Sequence, residues 1–306
     1  MLKPRALKTG DRIALVSPAS PFAREEFDRG VETVRRLGFE PVWDDSVFER
    51  TGYVSGTAEF RASAFLKAWR DPSIAALIAV RGGYGSVHVL PFLSAAELRK
   101  TPKAFVGFSD NTSLLTWLTL GCGIVAFHGP MIERRLARGD EGFHSPSFMG
   151  ALSPKALGEL KVDGVSALQP GEAAGPIFGG TLTQLVASLG TPYAFNPPEG
   201  CLLFIEDVNE RPYRLDRMLM QLRLSGILSR AKGIVFGEMC GCDEPGGAPT
   251  AWQTIHDVLA GFPGPILHGF PSGHAQGPTW TIPLGVAARI VASPSPRFVI
   301  EEAATC

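Results

Sequence analysis

Several short stretches of this 306-residue chain combine residue types that could carry out nucleophilic catalysis. In one of them, Ser109 follows the apolar run "KAFVGF" and precedes a helical pattern, so it is expected on a tight strand-to-helix turn. Such a turn exposes the serine hydroxyl and directs helix amides, including that of Asp110, at a developing negative charge. On this stretch alone, a helix-capping role for Ser109 or Asp110 is the more common alternative.

A second stretch, "VRGGYGS" at residues 80–86, is rich in glycine and follows the apolar run "SIAALIAV". Glycine permits a positive φ and close backbone approach, which suits an oxyanion-binding amide or a phosphate loop. The stretch matches neither of the glycine patterns found in nucleotide-binding loops. A plain turn is the alternative, but this loop leaves a strand of the same expected sheet as Ser109.

A carboxylate and two histidines could assist a serine nucleophile. Glu206 directly follows an apolar run in "CLLFIED", so we expect it to be partly buried and to need a partner. Strand alternation puts Glu206 and Asp207 on opposite sides, so only one of them can point into a cleft. His274 lies between glycines in "GFPSGHAQGP" and His128 ends a strand pattern in "AFHGPM", and the residues alone leave the choice between them open.

The elements that must position these residues alternate between strand and helix patterns in the first half. This alternation predicts βαβ units and a parallel sheet, whose ligands bind at the carboxyl ends of the strands. The chain ends in consecutive strand patterns separated by Pro and Ser turns. We therefore predict an α/β protein with a Rossmann-like N-terminal domain (1–150), a linker (151–174) and a β-rich mixed C-terminal domain (175–306).

The composition narrows the function classes. Hydrophobic residues make up 45% of the chain, charged residues 19%, and the net charge is −1, without the basic excess of a nucleic-acid-binding protein. No run approaches the ~20 apolar residues of a membrane-spanning helix, and no signal-peptide pattern opens the sequence. The five cysteines are few and lack paired spacing, so we expect free thiols and a cytoplasmic protein.

Taken together, these stretches resemble the LD-carboxypeptidase family of serine peptidases, which includes muramoyltetrapeptide carboxypeptidases and microcin C self-immunity peptidases. The resemblance covers nearly the whole chain. It runs in the family's order through "ALVSPAS", "AVRGGYGS", "VGFSDNTSLL", "FHGPM", "FGGTLTQLVASLGTPY", "LFIEDVNERPYRLDRMLMQLRLSG", "SGHAQG" and "IPLG".

The resemblance implies specific roles for single residues. It puts the nucleophile on Ser109, the triad glutamate on Glu206 and the base on His274, with His128 left as a structural residue. It implies an oxyanion hole built from the backbone N–H groups of Gly83 and Asp110. The resemblance implies no metal or cofactor, and it implies a homodimer.

One motif departs from the family's usual pattern. The family usually has Asn in "GGNL", where this chain has Thr181 in "GGTL". A threonine hydroxyl cannot replace both donors of an amide, so we expect altered loop bonding or one altered substrate contact, with the triad unaffected. The residues that bind the substrate carboxylate are not fixed by the resemblance, and Arg81 and Arg211 are the candidates.

The implied reaction is hydrolysis of the amide to a C-terminal D-amino acid, as in release of D-alanine from cytoplasmic murein tetrapeptide during peptidoglycan recycling. The first alternative is cleavage of an amide in a peptidyl or aminoacyl adenylate, with residues 239–252 as a substrate loop. There Trp252 could stack on a nucleobase, although packing against the core is the commoner role of such a tryptophan. A more remote alternative is a non-catalytic ligand-binding module on the same fold.

Overall fold

Two β-sheets with helices packed against them build the structure, a computed structural model that describes residues 1–306. The strands, in chain order, are β1 (Arg12–Val16), β2 (Glu40–Val42), β3 (Ile74–Ala79), β4 (Ala104–Gly107), β5 (Ala126–His128), β6 (Gly158–Glu159), β7 (Ser166–Gln169), β8 (Glu172–Thr181), β9 (Cys201–Glu206), β10 (Ala231–Gly237), β11 (Ile266–Phe270), β12 (Ile282–Leu284), β13 (Ala287–Val291) and β14 (Arg297–Ile300). The helices are α1 (Arg24–Arg36), α2 (Ala58–Arg70), α3 (Ala95–Leu98), α4 (Thr112–Thr116), α5 (Ser145–Ala151), α6 (Leu182–Ala187), α7 (Pro212–Leu224), α8 (Ile227–Arg230) and α9 (Ala251–Val258).

The first sheet has six strands in the order β12-β5-β4-β3-β1-β2. Strands β1 to β5 are mutually parallel, as the alternation of strand and helix patterns predicts. All six residues of β3 are buried because helices cover both faces of such a sheet. Helix α1 packs against it through Phe27, Val31 and Val34, which recur at helical spacing on one face.

The second sheet has eight strands in the order β6-β14-β13-β8-β9-β10-β11-β7. Its four central strands, β8 to β11, are parallel, and the outer strands pair antiparallel. The predicted fold class, a parallel α/β sheet followed by a β-rich mixed part, is confirmed.

Two features of the topology differ from the expectation from sequence. Strand β12, which lies far along the chain, pairs antiparallel with β5 at the edge of the first sheet and brings Ile282 opposite His128. The predicted linker, residues 151–174, contains the two short strands β6 and β7 at opposite edges of the second sheet. No residue of these edge strands is buried, so they lack the apolar periodicity that makes a buried strand visible in sequence.

The topology gathers the ends of β3, β4 and β5 from the first sheet and of β8, β9 and β11 from the second. Parallel strands end at the same edge of their sheet, so residues that follow them lie close together. Ser109 follows β4, Glu206 ends β9 and His274 follows β11. None of the helices combines the length and apolar character needed to cross a bilayer.

Candidate active site

Ser109 occupies a strained turn between strand and helix. Its φ is 61°, and the residues Ser109–Asn111 form a short 3-10 turn that runs directly into α4. A non-glycine residue in this left-handed conformation costs about 1–3 kcal/mol and is typically found where function requires it. The segment that packs against this turn needs glycine at position 82, because a Cβ on Gly82 would lie 2.8 Å from the Ser109 Cβ. The turn therefore presents the hydroxyl as a nucleophile elbow does.

The imidazole of His274 lies between the serine and a carboxylate. Its Nε2 is 3.1 Å from the Ser109 Oγ, and its Nδ1 is 2.8 Å from the Glu206 Oε2. An ionised carboxylate only accepts hydrogen bonds, so Nδ1 carries the proton and the Nε2 lone pair faces the hydroxyl. The backbone N–H of His274 donates to the same Oε2 at 3.0 Å, which fixes the loop as well as the ring.

Glu206 is almost completely buried, with 1% of its surface exposed. Burial by itself raises its pKa, but the neighbouring His274 and His128 outweigh burial and hold the pKa well below its ordinary value. The space around this carboxylate is available because glycines line it. A Cβ on Gly273 would lie 2.6 Å from Oε2, and one on Gly237 would lie 2.6 Å from the Glu206 Cβ.

The pKa of His274 is shifted in the direction expected of a base paired with a carboxylate. Burial lowers this pKa, but the charge and hydrogen bond of Glu206 raise it by more than burial lowers it. The net shift is therefore upward from the ordinary value. The carboxylate therefore favours the protonated, imidazolium form of His274.

Thr181 contacts the buried carboxylate, a contact that was not predicted from the sequence. Its hydroxyl donates to the Glu206 Oε1. The two residues are paired neighbours at the ends of the parallel strands β8 and β9, and this register brings their side chains together. The change from the family's usual Asn therefore lies on the candidate triad, not in a separate loop contact.

His128 is completely buried on the other side of Glu206. Its Nδ1 is 3.1 Å from the Ser272 Oγ, whose own hydrogen goes to the Trp280 carbonyl oxygen at 2.7 Å. Its Nε2 lies 3.8 Å from the Glu206 Oε1. Of the two histidines that the sequence left as rivals, His274 is the one within hydrogen-bonding distance of Ser109.

Asp207 points away from the histidines, as strand alternation predicts. Its Oδ2 accepts hydrogen bonds of 2.8 Å from both the backbone N–H and the hydroxyl of Thr183, near the start of α6. Burial and the charge of Glu206 raise the pKa of Asp207 to about 6. Asp207 thus ties a helix start to the strand end and does not contact the imidazole.

The two expected oxyanion donors lie on connected segments. Gly83 has a φ of 89°, which glycine adopts without strain, and its N–H donates no hydrogen bond within the chain. The glycine loop is joined to the serine turn by Ser86, whose N–H donates to the Asp110 Oδ2 at 2.7 Å. The Ser86 hydroxyl donates to the Asp110 carbonyl oxygen at 2.5 Å. Movement of either segment would therefore move the other.

Arg135 is a functional candidate that the sequence does not reveal. It is buried with 8% of its surface exposed, and its guanidinium donates to backbone carbonyl oxygens on the His274 loop. The acceptors are Gly273 and Ala275, both at 2.7 Å, and Gly277 at 3.1 Å. An arginine of the first half thereby fixes the loop that carries His274. No local motif marks this role, because all three acceptors are backbone atoms about 140 residues away.

A cleft of about 380 Å³ opens beside Ser109 and His274. Of the two arginines considered for the substrate carboxylate, Arg81 lines this cleft and Arg211 does not. Arg211 instead pairs with Glu244 at 2.8 Å. Trp252 also lies outside it and packs against Phe236 and His268 with ring-centroid distances of 6.1 and 4.5 Å. No three His, Cys, Asp or Glu side chains lie close enough together to bind a metal ion.

Comparison with known proteins identifies the family of this chain. Residues 13–129 match the model of the LD-carboxypeptidase N-terminal domain, and residues 174–290 match that of the C-terminal domain. The chain belongs to the LD-carboxypeptidase family. Members of this family are peptidases, and the chain is accordingly a hydrolase of the carboxypeptidase class.

Three similar proteins indicate the range of this family. A probable murein peptide carboxypeptidase of Bacillus subtilis is 32% identical over 94% of this chain and 90% of its own. The crystal structure of a muramoyltetrapeptide carboxypeptidase from Oxalobacter formigenes matches with a TM-score of 0.82 and 29% identity, over 95% of this chain and 99% of its own. The microcin C7 self-immunity protein MccF matches with a TM-score of 0.91 and 26% identity, over 99% of both chains.

Proposed function

We propose that this carboxypeptidase uses Ser109, His274 and Glu206 as a catalytic triad and releases D-alanine from murein tetrapeptide. The observation that carries the proposal is the hydrogen-bonded line from the Ser109 Oγ through His274 to the buried Glu206 carboxylate. The substrate class is supported by the similar murein peptide carboxypeptidase and by the similar muramoyltetrapeptide carboxypeptidase. The scissile amide joins an L-configured centre to the C-terminal D-amino acid.

In the first step, the Ser109 Oγ attacks the carbonyl carbon of this amide while the His274 Nε2 takes the hydroxyl proton. The imidazolium is stabilised by Glu206, which already holds the Nδ1 proton at 2.8 Å. The imidazolium then gives its proton to the leaving nitrogen, D-alanine departs, and an ester to Ser109 remains. Water, deprotonated by His274, attacks this ester and restores the serine hydroxyl.

The negative oxygen of each tetrahedral intermediate needs donors that are already in place. In the proposal these donors are the N–H groups of Gly83 and Asp110. The hydrogen bonds from Ser86 to Asp110 support this assignment, because they hold the two segments at a fixed separation. Each such donor contributes about 3 kcal/mol to transition-state stabilisation in well-studied hydrolases.

The proposal retains the division into a nucleophile domain (1–150) and a domain carrying Glu206 and His274 (175–306), joined by residues 151–174. It is supported by the separate matches of the two family domains to residues 13–129 and 174–290. The homodimer implied by the resemblance belongs to the same proposal, and light scattering on the purified protein tests it by the measured mass.

The test is a substrate panel scored by mass spectrometry. We expect murein tetrapeptide to lose one D-alanine, whereas the same peptide ending in L-alanine stays intact and Ser109→Ala cleaves neither. A folded wild-type protein that leaves murein tetrapeptide intact would contradict the substrate assignment. If it instead cleaved an aminoacyl-adenylate amide, the protein would belong functionally with the similar self-immunity protein MccF.

A further inference from the structure

The cleft beside Ser109 is strongly basic. Four arginines and one glutamate line it, together with His274 and apolar residues; the charged groups are Arg81, Glu133, Arg134, Arg135 and Arg138. An excess of positive charge in a partly enclosed site attracts an anion and raises its local concentration. The chain as a whole has a net charge of −1, so this concentration of arginines is local to the cleft.

Two of the four guanidinium groups are already used within the protein. The Arg81 Nε lies 3.1 Å from the Glu133 Oε2, and its NH1 donates to the Pro21 carbonyl oxygen at 2.6 Å. Arg135 is buried and donates to the three carbonyl oxygens of the His274 loop. Neither arginine can turn toward a ligand without breaking these contacts.

The guanidinium groups of Arg134 and Arg138 have no acceptor in the protein. Both side chains line the cleft, and both residues are exposed. The backbone of Arg134 has a φ of 65° and is held by its N–H, which donates to the Glu26 Oε2 at 2.8 Å. Arg138 lies close enough to Arg135 that, after burial, its charge is the largest cause lowering the Arg135 pKa. Like charges gathered in excess over the neighbouring carboxylates are relieved when an anion binds between them.

We propose that Arg134 and Arg138 bind the α-carboxylate of the residue that is released. This inference rests on the proposed function and adds to it the reason for cleavage at a chain end. A guanidinium is planar and presents paired N–H donors that match the two oxygens of a carboxylate. A peptide whose chain continues beyond the scissile amide has no carboxylate there and leaves both arginines unpaired.

The experiment compares two substrates in four proteins. The substrates are murein tetrapeptide and the same peptide with its C-terminal carboxylate replaced by a carboxamide. The proteins are wild type, Arg134→Gln, Arg138→Gln and the control Arg217→Gln, which removes an exposed arginine on α7, outside the cleft. Steady-state kcat and KM are measured for each pair.

We expect wild type and Arg217→Gln to prefer the free carboxylate by about 10- to 100-fold in kcat/KM, the range of a hydrogen bond to a charged group. In Arg134→Gln and Arg138→Gln, KM for the acid should rise and the preference should shrink toward equal cleavage of both peptides. An unchanged preference in both variants would overturn the inference while leaving the proposed function intact.

If wild type cleaves neither peptide, the proposed function fails, and the inference is still tested by binding. Calorimetry with Ser109→Ala should then show weaker binding of the carboxamide than of the acid, and Arg134→Gln/Arg138→Gln in that background should remove the difference. Equal binding of acid and carboxamide to the Ser109→Ala protein would overturn the inference.

Discussion

The proposed nucleophile, Ser109, and the proposed base, His274, are held in place by different means. Ser109 is fixed by the backbone, because it lies just after the buried strand β4 in a left-handed turn against which Gly82 packs. His274 is fixed by side chains, with Glu206 on one side and Arg135 on the other. The turn at Ser109 packs on Gly82 within the first half of the chain, whereas the His274 loop also depends on Arg135, about 140 positions away.

Two buried arginines that donate to backbone carbonyl oxygens also differ, because one acts within the first half of the chain and the other joins the two halves. Arg61 fixes the surroundings of the glycine loop from within the first half of the chain, donating to Pro18, Gly56 and Gly85. Arg135 reaches from the first half to the His274 loop in the second. The histidine therefore reaches the serine only when the two halves are packed correctly, and activity should be more sensitive than folding to changes at their contact.

The largest expected effect separates the two histidines. His274→Ala should lower kcat by roughly 10⁴-fold or more, the cost of deleting the base of a serine triad. His128→Ala should act mainly on stability, because His128 is completely buried and bonds Ser272. Turnover of murein tetrapeptide and thermal unfolding are measured for both variants. If His128→Ala lost activity while His274→Ala lost only stability, the two roles would have to be exchanged.

The next effect concerns the carboxylates. Glu206→Gln should lower kcat by about 10³- to 10⁴-fold, because an amide cannot stabilise the imidazolium. Asp207→Asn, the matched control, should be milder, since Asp207 bonds Thr183 and not the imidazole. Single-turnover kinetics compares the two variants, with circular dichroism to confirm folding. Near-wild-type turnover of Glu206→Gln would assign the third role to another carboxylate.

The pH profile gives this comparison a second readout. His274 must be neutral to accept a proton, so kcat/KM falls as pH decreases through its pKa. In wild type we expect this midpoint above the ordinary histidine value of about 6.5, since Glu206 raises the pKa. In Glu206→Gln the residual activity should persist to lower pH, because that source of elevation is gone. A midpoint that does not move would show that Glu206 does not set the pKa of the base.

A smaller effect tests the support across the two halves. Arg135→Met should reduce kcat by about 100-fold, because the His274 loop loses three hydrogen bonds worth about 1 kcal/mol each. The control is Arg99→Met, which removes an arginine that donates to the Cys122 carbonyl oxygen away from the cleft. Equal turnover of the two variants would mean that Glu206 alone positions the base.

The smallest effect concerns Thr181. Thr181→Val removes the donor to the Glu206 Oε1 and should lower kcat by about 10-fold, the lower range for a hydrogen bond to a charged group. Thr181→Ser keeps the hydroxyl, and Thr181→Asn supplies the amide usual in the family, so both should retain activity. Loss of activity in Thr181→Ser, with normal folding, would show that the methyl group matters and the hydroxyl does not.

The part of this structure that could be predicted from sequence is the part with local signals. Strands such as β3 and β4 are continuous apolar runs, and the turn at Ser109 lies between a strand pattern and a helix pattern. The pairing of β12 with β5 could not be read this way, because strand pairing depends on residues about 150 positions apart. Strands β6 and β7 have no apolar pattern that would indicate a strand, because none of their residues is buried.

The same distinction between local and long-range signals applies to the residues of the site. A carboxylate that follows an apolar run is expected to be buried with a partner, and Glu206 is buried and bonded to His274. The contact of Thr181 with Glu206 follows from the register of β8 and β9, which the sequence does not display. Arg135 could not be found because backbone carbonyl oxygens accept its hydrogen bonds and leave no pattern in side-chain types.

The central claim, that Ser109 is a nucleophile activated by His274, is tested most directly by a serine-reactive fluorophosphonate probe and peptide mapping. We expect one label per chain, on Ser109, with labelling greatly slowed in His274→Ala. Ser109→Ala should remain folded, since a turn serine contributes only about 1 kcal/mol as a cap, and should be unlabelled and inactive on murein tetrapeptide. A label on another residue, or wild-type turnover by folded Ser109→Ala, would contradict the claim.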